Sequence, residues 1–247
     1  LFLVTILNVK KRGLIIVVCN FSGQQNKFSI EKNFIHLCMI YDQEIARKTA
    51  KSLLQINAIK LNTKNPFIWA SGWKSPIYCD NRIALSYPET RSFLAQKIAE
   101  QAQKIYGRDY VVAGVATGAI GIGILVADVL NAPFMYVRPE PKSHGRQNQI
   151  EGLIDPIKKV LVIEDLISTG KSSLNAVRAL KKEGVEVLGM IGLFDYGFDL
   201  AVDNFKDEKI ELYTLSDYDH LIIEAEKSNY IKSEEISILK LWRVSPS

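Results

Sequence analysis

An α/β architecture with a central, mostly parallel sheet flanked by helices is the fold class this sequence predicts, and three observations predict it. Beyond Gly107 the pattern settles into strand–turn–helix units. The strand segments are continuous apolar runs rather than alternating ones, as in parallel strands covered on both faces. The periodicity shows neither internal repeats nor a second full domain in the 247 residues.

Each element has its own signal. Ile45, Ala46, Ala50, Leu53 and Leu54 recur at helical spacing, so a helix runs from residue 42 to about 57. Residues 65–76 are dense in turn formers and aromatics and read as short strands and a hairpin. Pro88 opens a second helix to about residue 106, with Phe93, Leu94, Ile98 and Ala102 on one face. A strand over 110–115 leads through Ala116-Thr117-Gly118 into a small-residue helix ending near 130, and 134–137 is the next strand. Residues 139–152 are polar, glycine-bearing and without apolar period, which predicts a mobile loop. Then come a strand at 160–163, a helix at 174–183 stopped by Gly184, and strands at 185–194 and 210–214. Ser216 caps a helix to about 227, and 234–242 forms the last one. In such sheets ligands sit at the carboxyl ends of the strands, so the turns after Val115, Val137 and Ile163 are the places to search.

The bulk numbers exclude several classes. A net charge of +4, with 47% apolar and 23% charged residues, suits a globular protein and points to no partner on its own. No Lys/Arg run is interleaved with aromatics, so a nucleic-acid partner is not expected. Cys19, Cys38 and Cys79 are odd in number and lack paired spacing, which suggests neither disulfides nor zinc and makes a reducing cytoplasm the default. His36, His144 and His220 are scattered.

Residues 1–38 behave differently. Two short apolar runs, 1–9 and 14–18, flank Lys10-Lys11-Arg12, and neither approaches the ~20 residues of a membrane helix. The basic cluster follows the first run, whereas a signal peptide has it in front. Residues 1–38 are therefore expected to be a non-native or disordered N-terminal extension. Residues 39–247 make one domain, with a small hood over about 39–87 and a core over about 88–247.

The chemistry concentrates in residues 160–173, VLVIEDLISTGKSS. A buried strand delivers Glu164 and Asp165 to its carboxyl end, and Ser168-Thr169-Gly170-Lys171-Ser172 opens a helix. A helix start presents unpaired N–H groups and partial positive charge, which suits a phosphate. Carboxylates repel phosphate, so the acidic pair must face another part of the same ligand, hydroxyls or a bound cation. A sugar phosphate meets both demands.

This segment resembles the phosphoribosyl-pyrophosphate (PRPP) signature of the type I phosphoribosyltransferases. Two further segments narrow the resemblance to the orotate phosphoribosyltransferases: residues 71–82, SGWKSPIYCDNR, resemble their amino-terminal hairpin, and residues 136–152 resemble their catalytic loop. The three occur in matching order from about Met39 to the C-terminus. The resemblance implies the type I phosphoribosyltransferase fold and transfer of phosphoribose from PRPP to orotate. It implies Lys142 and Asp165 as catalytic residues. For PRPP it implies Arg138, Lys142, His144, Glu164, Asp165, Leu166, Ile167, Ser168, Thr169, Gly170, Lys171 and Ser172. Ser168 is implied for orotate, with Arg82 as the candidate partner of its carboxylate. Ala116, Thr117 and Gly118 match the pyrophosphate loop, which in the family carries a cis peptide. Mg²⁺ is the implied cofactor, carried by PRPP rather than bound directly by the protein. A homodimer with shared active sites is implied, because the family's loop reaches into the partner subunit.

The chain also departs from the family. Its acidic pair is Glu-Asp rather than Asp-Asp, Ala70 stands where some relatives place a lysine, and Lys171 replaces a small residue. Two other readings compete: a purine or uracil phosphoribosyltransferase, which the hairpin argues against, and a PRPP-binding regulator, which would not need the loop cations.

Overall fold

The computed structural model describes residues 4–8, 15–21, 24–30, 39–69, 72–141 and 148–246. The chain divides into two compact units, Leu1–His36 and Leu37–Ser247. In the first, β1 (Val4–Asn8), β2 (Ile15–Phe21) and β3 (Gln24–Ile30) pair antiparallel in that order.

The second unit opens with β4 (Met39–Ile40) and α1 (Gln43–Gln55). Asp42 caps α1 by accepting from the amides of Glu44 and Ile45, and Ala46, Ala50, Leu53 and Leu54 form its buried stripe. Four short strands follow: β5 (Ile59–Leu61), β6 (Phe67–Ile68), β7 (Lys74–Ser75) and β8 (Ile77–Cys79). The expected hairpin is β6–β7, and β8 folds back on β5, a strand the sequence pattern does not reveal. A 3-10 helix, Asn81–Ser86, leads into α2 (Pro88–Tyr106). Then come β9 (Val111–Val115), α3 (Gly118–Leu130), β10 (Phe134–Val137), β11 (Ile150–Glu151) and β12 (Val160–Ile167). The remainder is α4 (Lys171–Lys182), β13 (Val187–Asp195), α5 (Asp199–Glu208), β14 (Leu212–Asp217), α6 (Tyr218–Lys227) and α7 (Ser233–Val244).

Seven strands make the central sheet, in the order β11-β10-β9-β12-β13-β14-β4. All neighbours are parallel except β11, which turns back on β10. From β9 the chain first steps outward to β10 and later returns to β9's other side as β12. The order therefore reverses between β9 and β12, where an α/β sheet leaves a crevice at its carboxyl ends. Leu161, Val162 and Ile163 are fully buried, each burial contributing roughly 1.5–3 kcal/mol. That anchoring fixes what β12 carries beyond them.

Four details differ from the sequence expectation. β12 runs on to Ile167, because Glu164, Leu166 and Ile167 keep pairing with β13 after the pairing with β9 has ended at Ile163. α4 starts at Lys171, a turn before the first apolar residue of its pattern. β11 lies within the expected loop. Asp217, not Ser216, caps α6 by accepting from the amide of His220, while the Ser216 hydroxyl donates to the Ala46 carbonyl and ties β14 to α1. Among the described residues, no helix is long and apolar enough to cross a membrane.

Candidate active site

At the β9/β12 crevice lies a polar cleft of about 380 Å³. Its wall combines Val115, Ala116, Thr117 and Gly118 after β9 with Glu164, Asp165 and Leu166 of β12 and the turn from Ser168 to Ser172. Cys79, Asp80 and Arg82 close it from the hairpin side. The sequence-derived turn and signature therefore meet in one cavity.

Two helix starts open onto this cleft, those of α3 and α4, and neither has a side-chain cap. Apart from Ile120, whose N–H reaches the Thr117 carbonyl at 3.3 Å, the first N–H groups of such helices lack intrahelical acceptors and call for an anion or water. Lys171 stands at the first position of α4 and adds a cation where the helix dipole is already positive. A bound phosphate relieves both. The peptide bond between Ala116 and Thr117 is cis, the geometry implied for the pyrophosphate loop. Gly170 takes a left-handed conformation (φ +75°), and a Cβ there would press on the Phe205 ring. From the outer side Asn204 donates to the Thr169 carbonyl at 2.8 Å, and Glu208 pairs with Arg178 of α4 at 2.6 Å. α5, which the sequence pattern does not reveal, thus backs the turn from Ser168 to Ser172.

The two carboxylates differ. Glu164 is buried, accepting from the Asp165 amide at 2.9 Å and the Ser173 hydroxyl at 2.7 Å. Burial, and next the neighbouring Asp165 charge, hold its carboxyl pKa well above the usual range. The Asp165 carboxylate faces Gly118 so closely that any Cβ there would overlap it. Asp165's carbonyl accepts from Asn81 Nδ2 at 2.6 Å, and Asn81 Oδ1 accepts from the Cys79 thiol at 3.2 Å. Burial, together with Asp165 and Asp80, pushes the Cys79 thiol pKa up and keeps it neutral.

Beside the polar cleft is a second cavity of about 510 Å³, lined by Ile68, Trp69, Tyr78, Cys79, Leu166, Ser168 and Tyr196. Cys79, Leu166 and Ser168 belong to both walls. An aromatic cluster supports this bay. Trp69 packs on Tyr196 at 5.0 Å and on Trp242 of α7 at 5.5 Å, while Trp73 meets Phe198 at 6.2 Å. Trp69 donates to the Ile77 carbonyl and Trp242 to that of Lys74, both at 3.0 Å. The hairpin aromatics therefore divide their work: Trp69 and Tyr78 face the bay, and Trp73 packs behind it.

The remaining candidates are dispersed. Ile167 turns into the core. Arg82 lines the polar cleft, not the bay, with its guanidinium on both Asp80 oxygens at 2.7 and 3.0 Å. Arg138 stands at the stem of the loop expected over 139–152, 3.7 Å from Glu151. Its carbonyl and that of Pro139 accept from Gln149, and Pro139 accepts also from Asn175 of α4, so the stem is fastened to the core. Lys142 and His144 lie outside the described residues. Sequence reasoning passed over Cys79, Asp80 and Tyr196 as wall residues. The first two stand three and two residues before Arg82 in the recognised hairpin motif, whereas Tyr196 follows an ordinary strand and carries no local signal.

Comparison with known proteins agrees with this geometry. Residues 89–220 match the phosphoribosyl transferase domain family. The chain is 52% identical over 200 residues to the orotate phosphoribosyltransferase of Cytophaga hutchinsonii, spanning 81% of this chain and 96% of that one. It is 50% identical over 202 residues to the enzyme of Porphyromonas gingivalis, spanning 82% and 96%. The crystal structure of orotate phosphoribosyltransferase from Aeropyrum pernix superposes with a TM-score of 0.63 at 28% identity, covering 74% of this chain and 99% of that one.

Proposed function

The chain belongs to the orotate phosphoribosyltransferases, and on that footing we propose that it transfers the 5-phosphoribosyl group of PRPP to orotate in this paired cavity, giving orotidine 5′-phosphate and pyrophosphate for UMP synthesis. One observation supports this reading of where the substrates bind. An anion-binding, hydroxyl-accepting cleft adjoins a flat aromatic bay across the shared residues Cys79, Leu166 and Ser168. That is the shape of a ribose phosphate beside a planar base.

In this reading the 5′-phosphate rests on the amides from Ser168 to Ser172 with help from Lys171. Glu164 and Asp165 serve the ribose hydroxyls, and Ala116, Thr117 and Gly118 hold the pyrophosphate. Orotate enters the bay over Tyr78 and Trp69, with Ser168 as its polar contact. Arg82, close to the junction, offers a cation to the orotate carboxylate. A ring nitrogen attacks the anomeric carbon as the bond to pyrophosphate breaks. Positive charge then develops on the ribose, where the Asp165 carboxylate stabilises it. Negative charge develops on the leaving group, where Lys142, Arg138 and His144 act when the loop closes and excludes water. These loop residues come from the partner subunit of a homodimer, and the enzyme works in the cytoplasm.

Among the described residues no three His, Cys, Asp or Glu side chains gather as a metal cage. In this reading Mg²⁺ would be carried into the site by PRPP rather than held directly by the protein. It supplies neutralisation of the charge leaving on pyrophosphate. The test is orotate-dependent consumption of PRPP with and without Mg²⁺, run against purine bases and uracil. Turnover with orotate and Mg²⁺ alone is expected. PRPP binding with no pyrophosphate released for any base would overturn the proposal.

A further inference from the structure

We infer that Asn204, a residue of α5 outside the cleft wall, is a positioning residue that aims the Gly170 amide at the 5′-phosphate of PRPP. The inference rests on the phosphate site proposed above and adds to it what orients its donors.

A turn that binds an anion must point its N–H groups inward and its carbonyls outward, since a carbonyl oxygen aimed at the phosphate would repel it. In a trans peptide the C=O and the following N–H point to opposite sides. The Thr169–Gly170 peptide is trans, because the cis bond among the described residues is Ala116–Thr117. Asn204 Nδ2 donates to the Thr169 carbonyl at 2.8 Å from behind the turn. Fixing that carbonyl outward fixes the Gly170 N–H toward the cleft, whose wall includes both Thr169 and Gly170.

Three further contacts keep the brace in place. Phe205, fully buried and next to Asn204, packs where a Gly170 side chain would lie. Glu208 pairs with Arg178 at 2.6 Å and accepts from Lys181 through its carbonyl at 3.0 Å, joining α5 to the helix that the turn begins. Without the Asn204 donor, the left-handed Gly170 is free to rotate the peptide, since glycine opposes neither orientation.

The test is an amide-resolved titration of the isotope-labelled full chain with ribose 5-phosphate, alongside steady-state kinetics. In the wild type the amides of residues 169–172 should shift on binding. In Asn204→Ala and in the isosteric non-donor Asn204→Asp, the Gly170 shift should be lost and KM for PRPP should rise about tenfold, the scale of one hydrogen bond to a charged group. With kcat and KM for orotate within about twofold, the loss is of uniform binding to the phosphate. Asn204→Gln, which retains a donor amide, should recover part of the affinity. Absence of any shift in the wild type would overturn the phosphate site, and this inference with it. Wild-type shifts that persist unchanged in both Asn204 variants, with KM for PRPP unaltered, would overturn the inference alone.

Discussion

Asn81 donates from Nδ2 to the carbonyl oxygen of Asp165 at 2.6 Å, joining the hairpin side of the cleft to the strand that carries the acidic pair. β12 has lost its β9 partner by this point, and a side chain takes over the vacated hydrogen bond. Asn81→Ala leaves that carbonyl without a donor in an enclosed site, at a cost of about 1–3 kcal/mol. Urea unfolding should show the loss, and both substrates should bind less tightly because both cavities meet at this seam. Unaltered stability and KM values would refute the coupling.

Gly118 should not tolerate a side chain. A methyl group there overlaps the Asp165 carboxylate, which must then swing away from the ribose proposed to bind beside it. Displacing a reacting group by about 1 Å can cost on the order of a hundredfold in rate. We expect kcat/KM for PRPP in Gly118→Ala to fall by about that factor while the thermal midpoint stays close to wild type. Full activity would show that Asp165 need not stand where it does.

The buried carboxyl of Glu164 predicts a pH signature in stability. Its pKa is raised above the ordinary 4.5, first by burial and then by the Asp165 charge. A carboxyl raised in the folded state binds more protons folded than unfolded, so its contribution weakens as pH climbs from the unfolded value through the folded one. Glu164→Gln removes that titration. The variant should therefore gain stability relative to wild type as pH rises above about 4.5. Denaturation midpoints across pH measure the difference, and a difference independent of pH would contradict the assignment.

Lys142→Ala should lower kcat by about two to three orders of magnitude, the usual scale for losing one group aimed at developing charge. The fold should be unaffected, which circular dichroism and the thermal midpoint would check. A kcat near wild type would remove Lys142 from the mechanism.

Much of this was legible in the sequence because the relevant signals are local. The span of α2 follows from Pro88 and its apolar face, and β9, α3 and β10 follow from uninterrupted apolar runs closed by small residues. The acid pair and the Ser-Thr-Gly turn could be placed together because they are adjacent along the chain. The unforeseen features depend on distant partners. β12 extends past its two acidic residues only because β13 is there to pair with Glu164, Leu166 and Ile167. α5 carries few apolar residues, and its buried Ala201 and Phe205 gain meaning only against the turn they support. Ser216 and Asp217 both have cap chemistry, and the nearby Ala46 carbonyl claims the serine.

The paired cavities also bear on how such a site diverges. The proposed phosphate half is made of backbone amides at the starts of α3 and α4, whereas the bay is made of side chains such as Trp69, Tyr78 and Tyr196. Substitution rewrites side chains and leaves amides where the fold puts them. A lineage can therefore change the acceptor base by altering the bay, residue by residue, while its grip on the sugar phosphate is inherited with the sheet itself.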